Sequence, residues 1–399
     1  MNDISRYLSQ IIPADALDSG KIAFINGPRQ VGKTTLAQQI KSKKYPNSHY
    51  FNFDDDEFKK IWIQSPKDIF KNYDKKSLLI FDEIHKDRKW KNKIKGLYDI
   101  YKNDYGIIIT GSARLDYNRK SGDSLQGRYL PYQLHPISLG EQSYIKPPPQ
   151  KDWEENAKVK YDYDDLLNLG GFPEPLLTMS QEKALRWKRL YRERMIHEDL
   201  RDLHQVRDIQ QVDSLALLLQ DRAGSRLSYE SLRQDLSVSF ETVQRWIASL
   251  EALFYCYRIK PYSKNIKNSI KKEPKLYLYD WALAPKGGAR LENMVASHLL
   301  KSCDAWTQSA MGEYELFYVR DKQKREVDFF ITENKKAYAL IEVKSSDSKP
   351  SESLKYFQQQ LKPKFCFQVV ENESLEKKPS LTHPNLRIMS VKKFLSALV

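Results

Sequence analysis

Between residues 20 and 145 the chain alternates short apolar runs with amphipathic stretches of helical period. Lys21 to Asn26, His49 to Asp54, Ser77 to Ile84, Gly106 to Ser112 and Tyr129 to Pro136 form the apolar runs. Strand-like runs separated by helix-like stretches predict a parallel α/β sheet. Lys146-Pro-Pro-Pro-Gln then breaks the rhythm, because its prolines exclude regular helix and central strand. From 160 to 253 apolar residues recur three and four apart, as in Leu185 to Leu203 and Val212 to Leu219, and predict helices. Beyond Leu276, the runs Tyr314 to Val319, Val327 to Ile331 and Ala337 to Val343 alternate with helical patterns at Leu291 to Leu300 and Ser351 to Leu361. These predict a second α/β region. The shifts divide the chain into 1–145, a linker and helical region 146–205, then 206–285 and 286–399.

Chemistry enters first where the run Ile22 to Ile25 leads into Gly27, Pro28, Arg29, Gln30, Val31, Gly32, Lys33 and Thr34, followed by Thr35 and a helical pattern to Ile40. The spacing G-x-x-x-x-G-K-T between strand and helix is that of a P-loop. Its backbone N–H groups and the helix start favour phosphate. Lys33 is expected at the β and γ phosphates and the Thr34 hydroxyl on Mg²⁺, so ATP and Mg²⁺ are the expected cofactors. Hydrolysis also needs carboxylates at a strand end, and Leu78 to Glu83 supplies them. Asp82 is expected to hold Mg²⁺ through water, and Glu83 to polarise the attacking water. Thr110 and Ser112 are candidate γ-phosphate sensors, with strand-end caps as the plainer alternative. Arg128 is the candidate for stabilising transition-state charge, alone or as a finger into a neighbouring subunit. Arg114 competes for that role, and a surface ion pair is the alternative for both.

Two further constellations lie downstream. Leu227 to Leu236, entered by a cap at Ser228, turns at Ser237 into Thr242 to Leu253 and then the strand-like Phe254 to Ile259. That is a winged helix-turn-helix layout. Thr242, Gln244 and Arg245 would be the exposed recognition positions. Lys264, Lys267, Lys271, Lys272 and Lys275 form either a basic wing laid on phosphates or a solvated loop. A recognition helix poor in Arg and Lys argues against sequence-specific readout. Asp328 and Glu342-Val-Lys344, with Glu292 on a helical pattern, reproduce the D, E-x-K layout of restriction-endonuclease-like folds. Such carboxylates can hold a Mg²⁺ that activates water, with the lysine at the scissile phosphate. The alternative is a retained scaffold that binds without cutting.

Composition narrows the partners without choosing one. Lys and Arg number 66 against 52 Asp and Glu, a formal charge of +14. The excess falls in the first and last thirds, which suits nucleic acid or another anionic surface. Cys256, Cys303 and Cys366 fit neither a disulfide framework nor a zinc spacing, and predict buried thiols in a reducing cytosol. The start lacks a signal-peptide layout, and no apolar run approaches the ~18 residues of a membrane helix. A soluble cytoplasmic chain with no membrane partner is expected.

The ordered motifs Arg29-Gln-Val-Gly-Lys-Thr-Thr, Asp82-Glu-Ile-His, Thr110-Gly-Ser and Ser124-Leu-Gln-Gly-Arg128 resemble those of the bacterial and archaeal AAA-type P-loop ATPases with a C-terminal domain of unknown function. The resemblance continues through Gly170-Gly-Phe-Pro-Glu174 and Lys275-Leu-Tyr-Leu-Tyr-Asp280. It implies the sheet order of additional-strand P-loop ATPases. The expected function is a Mg²⁺-dependent ATPase, assembled as a homo-oligomeric ring, a hexamer by preference. It would couple hydrolysis to binding and remodelling DNA without sequence preference, with a nuclease-like last domain. The alternatives are a nucleotide-dependent switch in defence or signalling, and a protein-remodelling ATPase whose winged helix docks a partner.

Overall fold

The computed structural model describes residues 6–40, 44–111, 125–142, 162–200, 208–263, 273–346, 349–376 and 385–399. Two compact units divide the chain, the first comprising 1–135 with 252–254 and the second 136–251 with 255–399.

In the first unit all five predicted strands are present: β1 (Ile22–Asn26), β2 (Asn47–Asn52), β3 (Ser77–Asp82), β4 (Tyr105–Thr110) and β5 (Tyr129–Gln133). Their order is β2-β3-β4-β1-β5, and every neighbouring pair is parallel. β4 is thus inserted between β1 and β3, the order that the resemblance implies. The three central strands, β1, β3 and β4, are buried along their whole length, which is why they read as continuous apolar runs rather than alternating ones. β2 lies at the edge and exposes Asn47 and Ser48.

Helices flank these strands. They are α1 (Leu8–Ile12), α2 (Lys33–Gln39), α3 (Asp56–Gln64), α4 (Pro66–Lys71) and α5 (Trp90–Tyr101). The Asp55 side chain caps α3 by accepting from the Glu57 amide, and α3 buries Phe58 and Trp62 in a core with Phe70, Phe81, Trp90 and Ile94. Because all five strands run the same way, Asn26, Asn52, Asp82, Thr110 and Gln133 end at one edge of the sheet. In open α/β sheets, ligands bind at that edge.

The second unit starts at Pro136, ten residues before the expected boundary. Buried polar contacts hold this segment. The Ser138 hydroxyl donates to the Val399 carbonyl at 2.6 Å, and the Leu139 amide donates to His298 Nε2 at 3.0 Å. The Lys301 ammonium pairs with Glu141, both side chains being buried. The proline-rich linker falls within 143–161, outside the described residues.

A helical stretch follows, as expected: α6 (Tyr163–Leu169), α7 (Pro173–Thr178), α8 (Gln181–Arg194), α9 (Ile209–Asp221), α10 (Tyr229–Leu236) and α11 (Phe240–Ala252). On α8 the buried side is Ala184, Trp187, Lys188 and Tyr191, whereas Leu185 and Leu190 face outward. The aromatic residues, not the leucines that suggested the period, define its packed face.

The remaining strands are β6 (Cys256–Pro261), β7 (Lys275–Leu278), β8 (Tyr314–Arg320), β9 (Glu326–Glu333), β10 (Lys336–Lys344), β11 (Phe365–Val370) and β12 (Leu386–Ser390). They form one seven-stranded sheet, β12-β11-β10-β9-β8-β6-β7. The helices accompanying it are α12 (Gly288–Gln308), α13 (Glu352–Leu361) and α14 (Val391–Ser396). This sheet therefore continues across the expected division at residue 285. The antiparallel pair β6–β7 is joined to the rest through β8, with Lys260 opposite Phe317 and Pro261 opposite Tyr318. An exposed strand edge is a liability, and here β8 covers that of β6.

Candidate functional site

The P-loop connects the C-terminal end of β1 to α2. Gly27 has φ +146°, and a Cβ there would collide with the Leu134 carbonyl oxygen. Gly32 caps α2 at φ 98°. Both positions therefore need glycine, the first for close approach and the second for a left-handed backbone. α2 begins at Lys33, so its first amides have no partner within the helix. The Lys33 ammonium, itself buried, folds back on the loop and donates to the Gly27 and Pro28 carbonyls at 3.0 and 2.7 Å. Thr34 is half-buried and Thr35 is exposed.

Asp82, at the end of β3, is buried and accepts from three hydroxyls. Thr34 Oγ1 and Tyr50 OH reach Oδ2 at 2.7 and 2.8 Å, and Thr110 Oγ1 donates to Oδ1. The Thr34 contact places a hydroxyl and a carboxylate together beside the P-loop lysine. Such a hard oxygen donor set fits Mg²⁺. Thr110 is where a residue between β1 and β3 must be, since it pairs in register with both Ile25 and Asp82. Its hydroxyl is committed to Asp82. Ser112 and Arg114 lie outside the described residues.

Glu83 follows Asp82 with φ 57°, an unusual conformation for a non-glycine residue that turns the chain sharply at the strand end. Its amide donates to the Thr110 carbonyl at 3.2 Å, and its carboxylate lies 3.4 Å from His85 Nε2. Burial raises the Glu83 pKa, Lys33 opposes that shift, and the Asp82 charge adds to it. A carboxylate made more basic in this way is a better proton acceptor.

Tyr50 was not anticipated. It reaches Asp82 from β2, whose Asn52 is in register with Asp82. Burial, followed by the bond to Asp82, raises its phenol pKa well above the ordinary value.

Arg128 lies away from the P-loop of its own chain. It immediately precedes β5, Tyr129 is opposite Ile22 at the start of β1, and the Ile22 amide donates to the Arg128 carbonyl. The P-loop leaves the other end of β1. At ~3.3 Å per residue, the length of that strand separates Arg128 from the phosphate edge within one chain. The Arg128 side chain instead makes a two-pronged ion pair with Asp99, at 2.8 and 3.1 Å.

In the second unit, α10 is capped by Ser228, which accepts from the Ser231 amide at 3.3 Å. On α11, Gln244 and Arg245 are exposed as expected, but Thr242 is half-buried and joined to Ser239 at the helix start. Lys264, Lys267, Lys271 and Lys272 lie outside the described residues. Lys275, read as part of the same basic run, is buried.

The D, E-x-K residues are brought near one another, but their partners are not those of a metal centre. The Lys275 ammonium lies 3.2 Å from Glu292 Oε1, 2.9 Å from Glu326 Oε1 and 3.1 Å from Asp328 Oδ1. Asp328 Oδ2 accepts from the Val343 amide at 3.0 Å, and Glu292 Oε1 also accepts from Tyr277 OH at 2.8 Å. Glu342 turns one oxygen to Lys344 at 3.2 Å and the other to the Ser351 hydroxyl, the cap of α13. Burial raises the pKa of Glu342, and burial together with the Asp328 charge pushes that of Glu292 up. Among the described residues no three Asp, Glu, His or Cys side chains are arranged to hold a metal ion. A divalent ion does not fit where the ammonium sits.

Among the described residues no helix is long and apolar enough to cross a membrane. Cys256, Cys303 and Cys366 are buried free thiols.

Three family models match in succession. Residues 19–143 match an AAA domain, 160–287 a domain of unknown function (DUF8612) and 287–390 another (DUF4143). An uncharacterized protein of Haemophilus influenzae is 24% identical over 384 residues, covering 88% of this chain and 93% of the relative. One of Methanocaldococcus jannaschii is 27% identical over 300 residues, covering 65% and 60%. A solved RuvB variant of Thermotoga maritima is similar with a TM-score of 0.32 and 14% identity, over 64% of this chain and 90% of that one. Replication initiator DnaA bound to AMPPCP and single-stranded DNA gives a TM-score of 0.30 and 16% identity, over 61% and 86%. The AAA-domain match, the five-stranded order with β4 between β1 and β3, and the P-loop facing Asp82 agree: the chain carries an AAA-type P-loop ATPase domain followed by C-terminal domains of unknown function.

Proposed function

We propose that this protein is a Mg²⁺-dependent ATPase that works on DNA as a homo-oligomeric ring. The observation that carries the hydrolytic part is the convergence of Lys33, Thr34, Asp82 and Glu83 at one edge of the sheet. On ATP binding, the Lys33 ammonium exchanges the Gly27 and Pro28 carbonyls for phosphate oxygens. Thr34 and Asp82 would hold Mg²⁺, which would supply charge neutralisation at the phosphates. Glu83 accepts the proton of the attacking water, held by the turn that its own left-handed backbone makes.

The DNA part is supported by the three helices α9 to α11 followed by the antiparallel pair β6–β7, the order of a winged helix. Gln244 and Arg245 are solvent-exposed on α11, and the chain carries an overall charge of +14. The single exposed arginine of that face favours backbone contact over base readout.

The test is steady-state ATP turnover and nucleotide binding of the wild type and Glu83→Gln, with and without duplex, single-stranded and branched DNA. The variant is expected to bind ATP and scarcely hydrolyse it, and DNA to stimulate the wild type at physiological salt. Undiminished turnover in the variant would sink the catalytic assignment. Absence of DNA binding even at low salt would leave the ATPase and remove DNA as its partner. Mass photometry with an ATP analogue reads the subunit number.

A further inference from the structure

The D, E-x-K cluster contains a cation that belongs to the chain itself. We infer that the Lys275 ammonium is the resident cation of this site, standing where a nuclease of this layout holds its divalent ion. The site is consequently metal-independent, does not cut DNA, and serves as a fastening between β7, α12 and β9.

The contacts support each part. Lys275 opens β7 and is buried, while its ammonium is within 3.2 Å of one oxygen each from Glu292 on α12 and from Glu326 and Asp328 on β9. An ammonium has three N–H donors and no acceptor, and three carboxylates use all of them. The outer oxygens are also committed, Asp328 Oδ2 to the Val343 amide and Glu326 Oε2 to Arg320 at 2.6 Å. Glu342, which should share a metal with Asp328, is turned to Lys344 and to the Ser351 cap. A divalent ion entering here would sit against a buried positive charge. Buried charge removed from its partners is costly, so the acids keep the ammonium and exclude the ion.

Replacement of Lys275 should therefore create the metal site that the wild type lacks. The experiment titrates Mn²⁺ into nucleotide-free full-length wild type, Lys275→Met, Lys275→Gln, Asp328→Asn and the double variant Lys275→Met/Asp328→Asn. Free Mn²⁺ is followed by electron paramagnetic resonance, and folding by circular dichroism and melting temperature. The wild type should show no Mn²⁺ site that depends on Asp328, and no Mn²⁺-dependent DNA cleavage that Asp328→Asn abolishes. Lys275→Met or Lys275→Gln should melt at lower temperature, gain one Mn²⁺ equivalent with recovery of melting temperature, and lose both with Asp328→Asn. An Asp328-dependent Mn²⁺ site in the wild type overturns the inference. So does a Lys275 variant, folded or unfolded, that neither binds Mn²⁺ nor is stabilised by it. None of these readouts involves ATP turnover, so the result stands apart from the ATPase proposal.

Discussion

Replacement of Thr110 by valine tests whether the three hydroxyls on Asp82 are organising that carboxylate. Thr110 is fully buried and its hydroxyl donates to Asp82 Oδ1, so Thr110→Val keeps the side-chain shape and removes one donor. No water replaces it at a site with no exposure. A hydrogen bond to a charged group contributes roughly 1.5–3 kcal/mol, and an orphaned buried acceptor costs a similar amount. Tyr50→Phe removes a donor from Oδ2 at 2.8 Å. Tyr50 is 37% exposed, so water can take over its role and the cost should be only about 0.5–1 kcal/mol.

Two measurements follow from this difference. Urea unfolding of the nucleotide-free protein should show a larger loss for Thr110→Val than for Tyr50→Phe. If Asp82 must be aimed for Mg²⁺, kcat/KM for ATP should drop by roughly 10- to 150-fold in Thr110→Val, the kinetic equivalent of that energy. Affinity for ATP in EDTA should change little in either variant, since neither hydroxyl touches the P-loop lysine. Refutation would be a Thr110→Val protein as stable and active as the wild type, or a Tyr50→Phe protein that loses more of either property.

Three other outcomes are expected. Lys301→Met strands the buried Glu141 carboxylate without its ammonium and should cost about 3–5 kcal/mol; the double variant Lys301→Met/Glu141→Leu, measured by thermal melting, should recover most of the loss. Arg128→Ala should leave ATP turnover of the isolated protomer unchanged in steady-state assay, because within one chain it breaks only the pair with Asp99 at the far edge of the sheet. His298, whose pKa burial pulls down to about 3 while Met294 O and the Leu139 amide satisfy its ring nitrogens, should make stability fall with acidification. Its folded pKa lies below the unfolded value of about 6.5, so the stabilisation is complete above that value and is lost as pH drops toward 3. Between pH 7 and 5.5 the loss from this group is about 1 kcal/mol, and urea midpoints at the two pH values should differ less in His298→Gln.

How much of this was legible depended on the sequence distance over which each feature is encoded. The P-loop is contiguous, so spacing alone located Lys33 and Thr34, and the buried run before Asp82 placed that carboxylate at a strand end. Tyr50 is 32 residues from Asp82; only the parallel register, Asn52 opposite Asp82, brings it there. Its usable signal was a tyrosine two residues before the end of an edge strand, on the face shared with Asn52. The separation of Arg128 from the P-loop of its own chain was also legible. A residue that precedes a parallel strand sits at the edge from which the strands start, whereas the P-loop leaves the edge at which they finish. Lys275 was hidden by company: it closes a run of lysines, and the acids that surround it lie 17 to 53 residues further on. The clue was that it opens the apolar run Leu276-Tyr-Leu, which is buried throughout.

The two carboxylate sites differ in the chemistry of what satisfies them, and that difference separates their functions. Asp82 is held by neutral hydroxyls, which donate to a carboxylate but can turn their lone pairs to a cation. Admitting Mg²⁺ there would turn Thr34 from donor to ligand and leave no buried charge alone. Around Lys275 the partner is an ammonium, which has donors only and is fixed at the start of a buried strand. Admitting Mg²⁺ there requires a buried positive charge to leave three carboxylates and find others. Both sites contain acidic residues at strand positions in a motif-like order, so residue type alone cannot distinguish them. Exchangeability of the partner does, and it favours nucleotide chemistry at the first site and a role in holding the sheet together at the second.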